Sequence, residues 1–138
     1  MSVRISLVAT ATILAASAFG LPAATAAPAI PLSGGQETQA ADPDGHGFFT
    51  YTLDGTTFCW TLSWQDIETP TAAHIHLGKR NVAGGVVIPL SVAGAGSSSG
   101  CSTIDTSLAA AISAEPKNYY VNVHNATYPA GAIRGQLK

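Results

Sequence analysis

Apolar and polar residues alternate strictly over residues 57–64: Phe58, Trp60, Leu62 and Trp64 fall on one side, Thr57, Cys59, Thr61 and Ser63 on the other. Period-two alternation of this length predicts a half-buried β-strand, and the large aromatic face belongs to the core. Residues 48–53 alternate likewise, with Phe49, Tyr51 and Leu53 together. Asp54-Gly55 between the two runs suits a tight hairpin turn, whose central residues need positive φ. A short first strand is expected at 30–32, ended by Gly34-Gly35, and Asp42-Pro43-Asp44-Gly45 reads as a plain turn. After Pro70 comes a strand carrying His74 and His76, then a loop over 79–85 and a short apolar strand, 86–90, which Pro89 places at an edge. The Gly/Ser-rich residues 94–100 are expected to form a mobile loop tethered by Cys101. Asp105 is placed as the cap of a short helix over 106–114, stopped before Pro116. A second histidine strand, 119–124, and a last strand, 132–137, follow across a Pro129-Ala130-Gly131 turn. About seven strands and one short helix, at this spacing, predict an all-β antiparallel sandwich or barrel.

The N-terminus departs from this pattern. Arg4 precedes a nearly unbroken apolar run over 5–19, and Ala24-Thr25-Ala26 fits an A-x-A cleavage site. Residues 1–27 are therefore expected to be a cleaved secretory signal peptide, and residues 28–138 one small domain. The apolar run is shorter than the roughly 20 residues of a membrane span, and no second run follows, so no transmembrane anchor is expected after cleavage. The whole chain has six basic and eight acidic residues. Loss of Arg4 leaves five against eight, a net charge of −3. Without a basic stretch, nucleic acid and anionic lipid are not expected partners. Cys59 and Cys101 are the only cysteines, and an even count in an exported chain favours a disulfide between them.

Three histidines carry the candidate chemistry. Residues two apart on a strand point the same way, so His74 and His76 share a face, as do Tyr120, Asn122 and His124. If the two strands pair, three imidazoles converge. Imidazole is a common ligand of copper and zinc, and three of them leave a coordination position open. The competing reading is a polar network in which the rings hydrogen-bond to backbone carbonyls, Asn122 or Tyr120 and stiffen the sheet. Asp66 and Glu68 precede the first histidine strand as conceivable further ligands. Arg134 is expected to pair with Glu37 and tie the last strand to the first. Asn125-Ala126-Thr127 is a formal glycosylation acceptor expected to be unused, and Gly96-Ser97-Ser98-Ser99-Gly100 matches G-x-S-x-G without the strand-turn-helix setting of a nucleophile elbow.

Several stretches together resemble the CHRD (chordin-type) domain. They are Leu32-Ser33-Gly34-Gly35-Gln36-Glu37, Ala73-His74-Ile75-His76-Leu77-Gly78, Gly85-Val86-Val87-Ile88-Pro89-Leu90, and Tyr120-Val121-Asn122-Val123-His124 followed by Ile133-Arg134-Gly135-Gln136-Leu137. Two departures from that pattern are the absence of a proline soon after Glu37 and Ala132 in place of a glutamate before Ile133. The resemblance implies an immunoglobulin-like sandwich or barrel and an extracellular setting. It implies no settled activity, so function must be argued from the site. The expectation is a secreted, non-enzymatic binding or structural module with an unidentified extracellular or cell-envelope ligand. The alternative is a copper- or zinc-dependent, dismutase-like enzyme on the same histidines.

Overall fold

The computed structural model describes residues 27–138, so all but the last residue of the expected leader lies outside the described residues. Eight strands form: β1 Ile30–Ser33, β2 His46–Asp54, β3 Thr57–Gln65, β4 Pro70–Leu77, β5 Val86–Leu90, β6 Ser97–Thr103, β7 Tyr119–Asn125 and β8 Ile133–Gln136. One α-helix, α1 (Thr106–Ala114), crosses between β6 and β7. All pairings are antiparallel, in one sheet of order β5-β4-β7-β8-β1-β2-β3-β6 that curls into a nearly closed barrel. The strands thus form one continuous hydrogen-bonded sheet, where two face-to-face layers would make a sandwich.

Alternation decides which residues fill the interior. Phe58, Trp60, Leu62 and Trp64 of β3 are buried with Phe49, Ile75, Val121, Val123 and Ile133, and Ile112 of α1 closes over them. Tyr51 stacks on Phe58 with centroids 5.3 Å apart. The β2–β3 hairpin turns where expected but one residue later: Asp54 pairs with Thr57 within the ladder, the central residues are Gly55 and Thr56, and only Gly55 takes positive φ, 56°. β5 stands at one margin of the sheet, as Pro89 requires.

The strand count corrects the sequence reading. The eighth strand is β6, in the stretch expected to be a mobile loop. It pairs with β3 from Ser63↔Ser97 to Thr57↔Thr103. Its serines and glycine carry no hydrophobic alternation, and its strand state comes from backbone bonds to β3 and from the covalent link. Cys59 and Cys101 face each other across that pairing, 4.0 Å apart at Cα, and are joined as a disulfide. Gly100 lies opposite Trp60, where a Cβ would come within 2.6 Å of the indole, so glycine lets the tryptophan pack beneath the strand. The same pairing removes any resemblance of residues 96–100 to a nucleophile elbow.

Two smaller expectations are refined. α1 follows Asp105 and ends before Pro116, but the Asp105 side chain makes no capping bond; its backbone carbonyl accepts from Ala109. In the Asp42 turn, Oδ1 of Asp42 accepts the N–H groups of Asp44 and Gly45 at 3.1 and 2.8 Å, a self-contained Asx turn.

Candidate metal centre

The register of β4 against β7 brings the histidines together. His74 lies opposite Asn122, His76 opposite Tyr120 and Ala72 opposite His124. Ile75, Val121 and Val123 point into the barrel, which leaves the three imidazoles on the outer face. One nitrogen from each of His74, His76 and His124 falls within 4.8 Å of the others. Nδ1 of His74 is 3.1 Å from Nε2 of His124. Two nitrogens bound tetrahedrally at zinc distances sit roughly 3.3 Å apart, so this pair already has the required bite.

The surrounding backbone sets the tautomers. Nδ1–H of His76 donates to the Gly84 carbonyl at 2.9 Å, and Nδ1–H of His124 to the Pro129 carbonyl at 3.0 Å. A carbonyl can only accept, so each ring carries its proton on Nδ1 and keeps the Nε2 lone pair free. Metal-bound histidines are oriented in this way by outer-shell acceptors. Nε2 of His76 is buried and has no hydrogen-bond partner, whereas buried polar atoms nearly always have one. Nε2 of His124 meets the His74 ring, whose Nδ1 carries the shared proton. An ion bound there takes the place of that proton, which can move to the other nitrogen of His74. The donor set, three imidazoles without thiolate, fits copper or zinc.

A stack of planar groups holds His76 from the side. Its ring lies 4.8 Å from that of Tyr120, with 6° between the planes, and the Arg134 guanidinium carbon lies 3.4 Å from the Tyr120 centroid. Arg134 is 1% exposed. Its Nη1 donates to the Val82 carbonyl at 3.0 Å and its Nη2 to the Lys79 carbonyl at 2.9 Å, fixing the loop between β4 and β5. Gly84, on that loop, also donates its N–H to the Tyr120 hydroxyl at 3.2 Å. Arg134 therefore braces the loop whose carbonyl sets the His76 tautomer.

This corrects the expected Glu37–Arg134 pair. The guanidinium is committed to two carbonyls, to Oε1 of Gln136 and to the Tyr120 face, and makes no contact ion pair with Glu37. Burial pushes the Glu37 carboxyl up, against the weaker opposing pulls of the Arg134 charge and of hydrogen bonds from Asn122 and the Thr38 backbone. Its Oε1 is buried without a partner. Asn122 does not bond the imidazoles; its Nδ2 reaches the Ala130 carbonyl at 3.5 Å, and its Oδ1 is unpartnered. Asp66 and Glu68 stay outside the cluster, Asp66 facing His46 and Glu68 accepting from Thr127. Asn125 is 1% exposed and its side-chain oxygen accepts from the Tyr128 N–H, so the formal glycosylation acceptor is closed to a glycan.

A model of the CHRD domain matches residues 29–137, almost all of the described chain. The chain belongs to the CHRD family. The histidine strands and the Ile133-Arg134-Gly135-Gln136-Leu137 end that carried the resemblance are the segments that build this site. No curated protein and no solved structure gave a match. CHRD is an extracellular domain type, and the disulfide suits an oxidising setting. Among the described residues no helix is long and apolar enough to cross a membrane.

Burial holds the pKa of His74 below the ordinary imidazole value, and the His124 and His76 rings add to this. Burial lowers His124 too, with His76 adding and the Pro129 hydrogen bond opposing. In the unfolded chain both rings take up protons near the ordinary value of 6.5. The fold resists those protons, so the metal-free protein loses stability as the pH falls below that value. His46 is shifted the other way by its bonds to Asp44 and Gln65, but it lies at the solvent-exposed surface and is a weak counterweight. Urea denaturation at about pH 7 and pH 5 is expected to show this loss, and His74→Gln or His124→Gln to flatten it.

The Arg134 brace has its own expected cost. Arg134→Met strands the Val82 and Lys79 carbonyls and removes the cation over Tyr120. The loss is expected to be about 2–4 kcal/mol, since bonds to a charged group and a desolvated cation–π contact are both forfeited. Chemical denaturation monitored by tryptophan fluorescence would measure it.

Proposed function

We propose that this CHRD protein is a secreted, non-enzymatic binding module that holds one copper or zinc ion on His74, His76 and His124. In this reading residues 1–27 export the chain and are removed, and residues 28–138 work outside the cell or in its envelope. One observation carries the metal reading: the buried, unpartnered Nε2 of His76, on a ring fixed from behind by the Gly84 carbonyl. Oε1 of Glu37 and Oδ1 of Asn122 are also unpartnered, but only Nε2 of His76 lies within 4.8 Å of two further imidazole nitrogens, the donor set an ion needs. The open coordination position keeps the dismutase-like alternative in view, with copper as the ion that would cycle.

The test is elemental analysis of the untagged protein recovered from the exported fraction. About one equivalent of copper or zinc is expected, together with a higher melting temperature on adding either metal to stripped protein. If stripped protein takes up neither ion and its melting temperature does not move, the three-histidine cluster is structural. Superoxide consumption by the copper-loaded protein, lost in His124→Ala, would replace the binding-module reading with the enzymatic one.

A further inference from the structure

Among the described residues, the exposed lysines and arginines are gathered in one place. Of its six lysines and arginines, Arg4 lies outside the described residues and Arg134 is buried in the brace. The other four, Lys79, Arg80, Lys117 and Lys138, all line a single cavity of about 720 Å³. None of the eight acidic side chains lines it, although acidic residues outnumber basic ones in the chain. Cavities of roughly 300–1,000 Å³ are the usual size for small-molecule ligands. A concave wall of one charge sign focuses potential and concentrates counter-ions.

The cavity has an apolar component as well, from Ile30, Pro31 and Leu137. Polar groups fix its rim. The two N–H bonds of the half-buried Gln136 amide are shared among the carbonyls of Gly78, Lys117 and Tyr119, which lie 2.7, 2.8 and 2.8 Å from its Nε2. Arg134 holds the carbonyl of Lys79, and the Gly78 N–H donates to the Asn118 carbonyl at 2.7 Å. Segments distant in sequence, 78–80 and 117–119, are thereby locked side by side with their cationic side chains exposed. The Gln136 amide is spent on this framework, which leaves the ammonium and guanidinium groups as the cavity's charged donors.

We propose that this cavity binds an amphiphilic anion, a phosphate- or carboxylate-type head on an apolar body, with the head among Lys79, Arg80 and Lys117 and the body against Ile30, Pro31 and Leu137. The site shares no residue with the histidine cluster and does not depend on the metal reading. The ligand is a free amphiphile or the exposed head of an envelope lipid, and both present the same chemistry; the second source revises the expectation from sequence, because cations scattered over residues 79–138 meet only in the fold.

The test titrates the full chain, as exported, with monodecyl phosphate below its micelle concentration, using calorimetry, with inorganic phosphate and decyl maltoside as comparisons. Monodecyl phosphate is expected to bind with one-to-one stoichiometry and more tightly than either. Lys79→Gln/Lys117→Gln is expected to weaken binding by about tenfold or more, as loss of charge-assisted bonds does. Both side chains are exposed, so an unchanged melting temperature verifies the fold. His74→Ala is expected to leave binding unchanged, which separates this site from the metal centre. Co-sedimentation with phosphatidylglycerol but not phosphatidylcholine vesicles, reversed by monodecyl phosphate, would identify the lipid source. Binding of monodecyl phosphate without such co-sedimentation would identify the free one. The proposal is overturned if monodecyl phosphate does not bind at millimolar concentration, if the double variant binds it as the parent does, or if inorganic phosphate binds equally well.

Discussion

His76→Ala is expected to lower copper or zinc affinity by about 100-fold or more, a larger loss than from any change in the groups behind the ligands, which typically cost 10–100-fold. The three histidines are not equivalent. His76 is 7% exposed and its Nε2 has nothing else to bond, so its removal takes away the donor that is already positioned and desolvated. His124 is expected to matter nearly as much, because the Pro129 carbonyl fixes its tautomer. His74 has no such carbonyl behind Nδ1, and its ring must redistribute a proton to admit an ion, so His74→Ala is expected to be the mildest. Competition titration with a chromophoric chelator would rank the variants. Equal, small losses at all three positions would place the bound ion elsewhere.

Cutting the Cys59–Cys101 bridge is expected to have the largest effect on stability. The bond spans 42 residues, a loop that includes β4 and β5, and the chain-entropy model gives about 4 kcal/mol for closing it. For a domain of this size that corresponds to a fall in melting temperature of about 15 °C. β6 depends on the bond more than other strands do, because its outward serines and Gly100 bury little apolar surface of their own. Cys59→Ser/Cys101→Ser is expected to release hydrogen-exchange protection first along residues 97–103 and to raise the solvent exposure of Trp60 beneath Gly100. Thermal melts with and without dithiothreitol, beside a peptide-resolved exchange map, would measure both. A melting temperature indifferent to reductant would mean that β6 is held by its ladder to β3 alone.

Where alternation is strong, the fold is legible from the chain. β2, β3 and β7 place large apolar residues at alternate positions, β4 does so more weakly through Ala73 and Ile75, and the short turn at Gly55 fixes how β2 and β3 pair. β6 is illegible because serine and glycine encode neither face; its strandedness belongs to its neighbour. The same division runs through the site. The two-residue period puts His74 with His76 and Asn122 with His124, and the pairing of β4 with β7 does the rest. What orients the rings is mostly main chain, the carbonyls of Gly84 and Pro129, and no side-chain type announces a carbonyl. The only trace at residue 84 is that it is glycine: a Cβ there would run into the Leu77 carbonyl. Arg134 was expected to need a partner, which is sound physics for a buried charge. Its choice of two loop carbonyls over Glu37 follows from a loop path that composition does not encode.

The two margins of the sheet differ in make-up but share a result. One is β5, where Pro89 has no N–H to offer; the other is β6, short of apolar side chains and stitched to its neighbour by sulfur. A foreign strand seeking to extend the array finds a gap in the donor row at one side and little greasy surface to reward it at the other. Both margins so finished disfavour edge-to-edge pairing between copies of the chain.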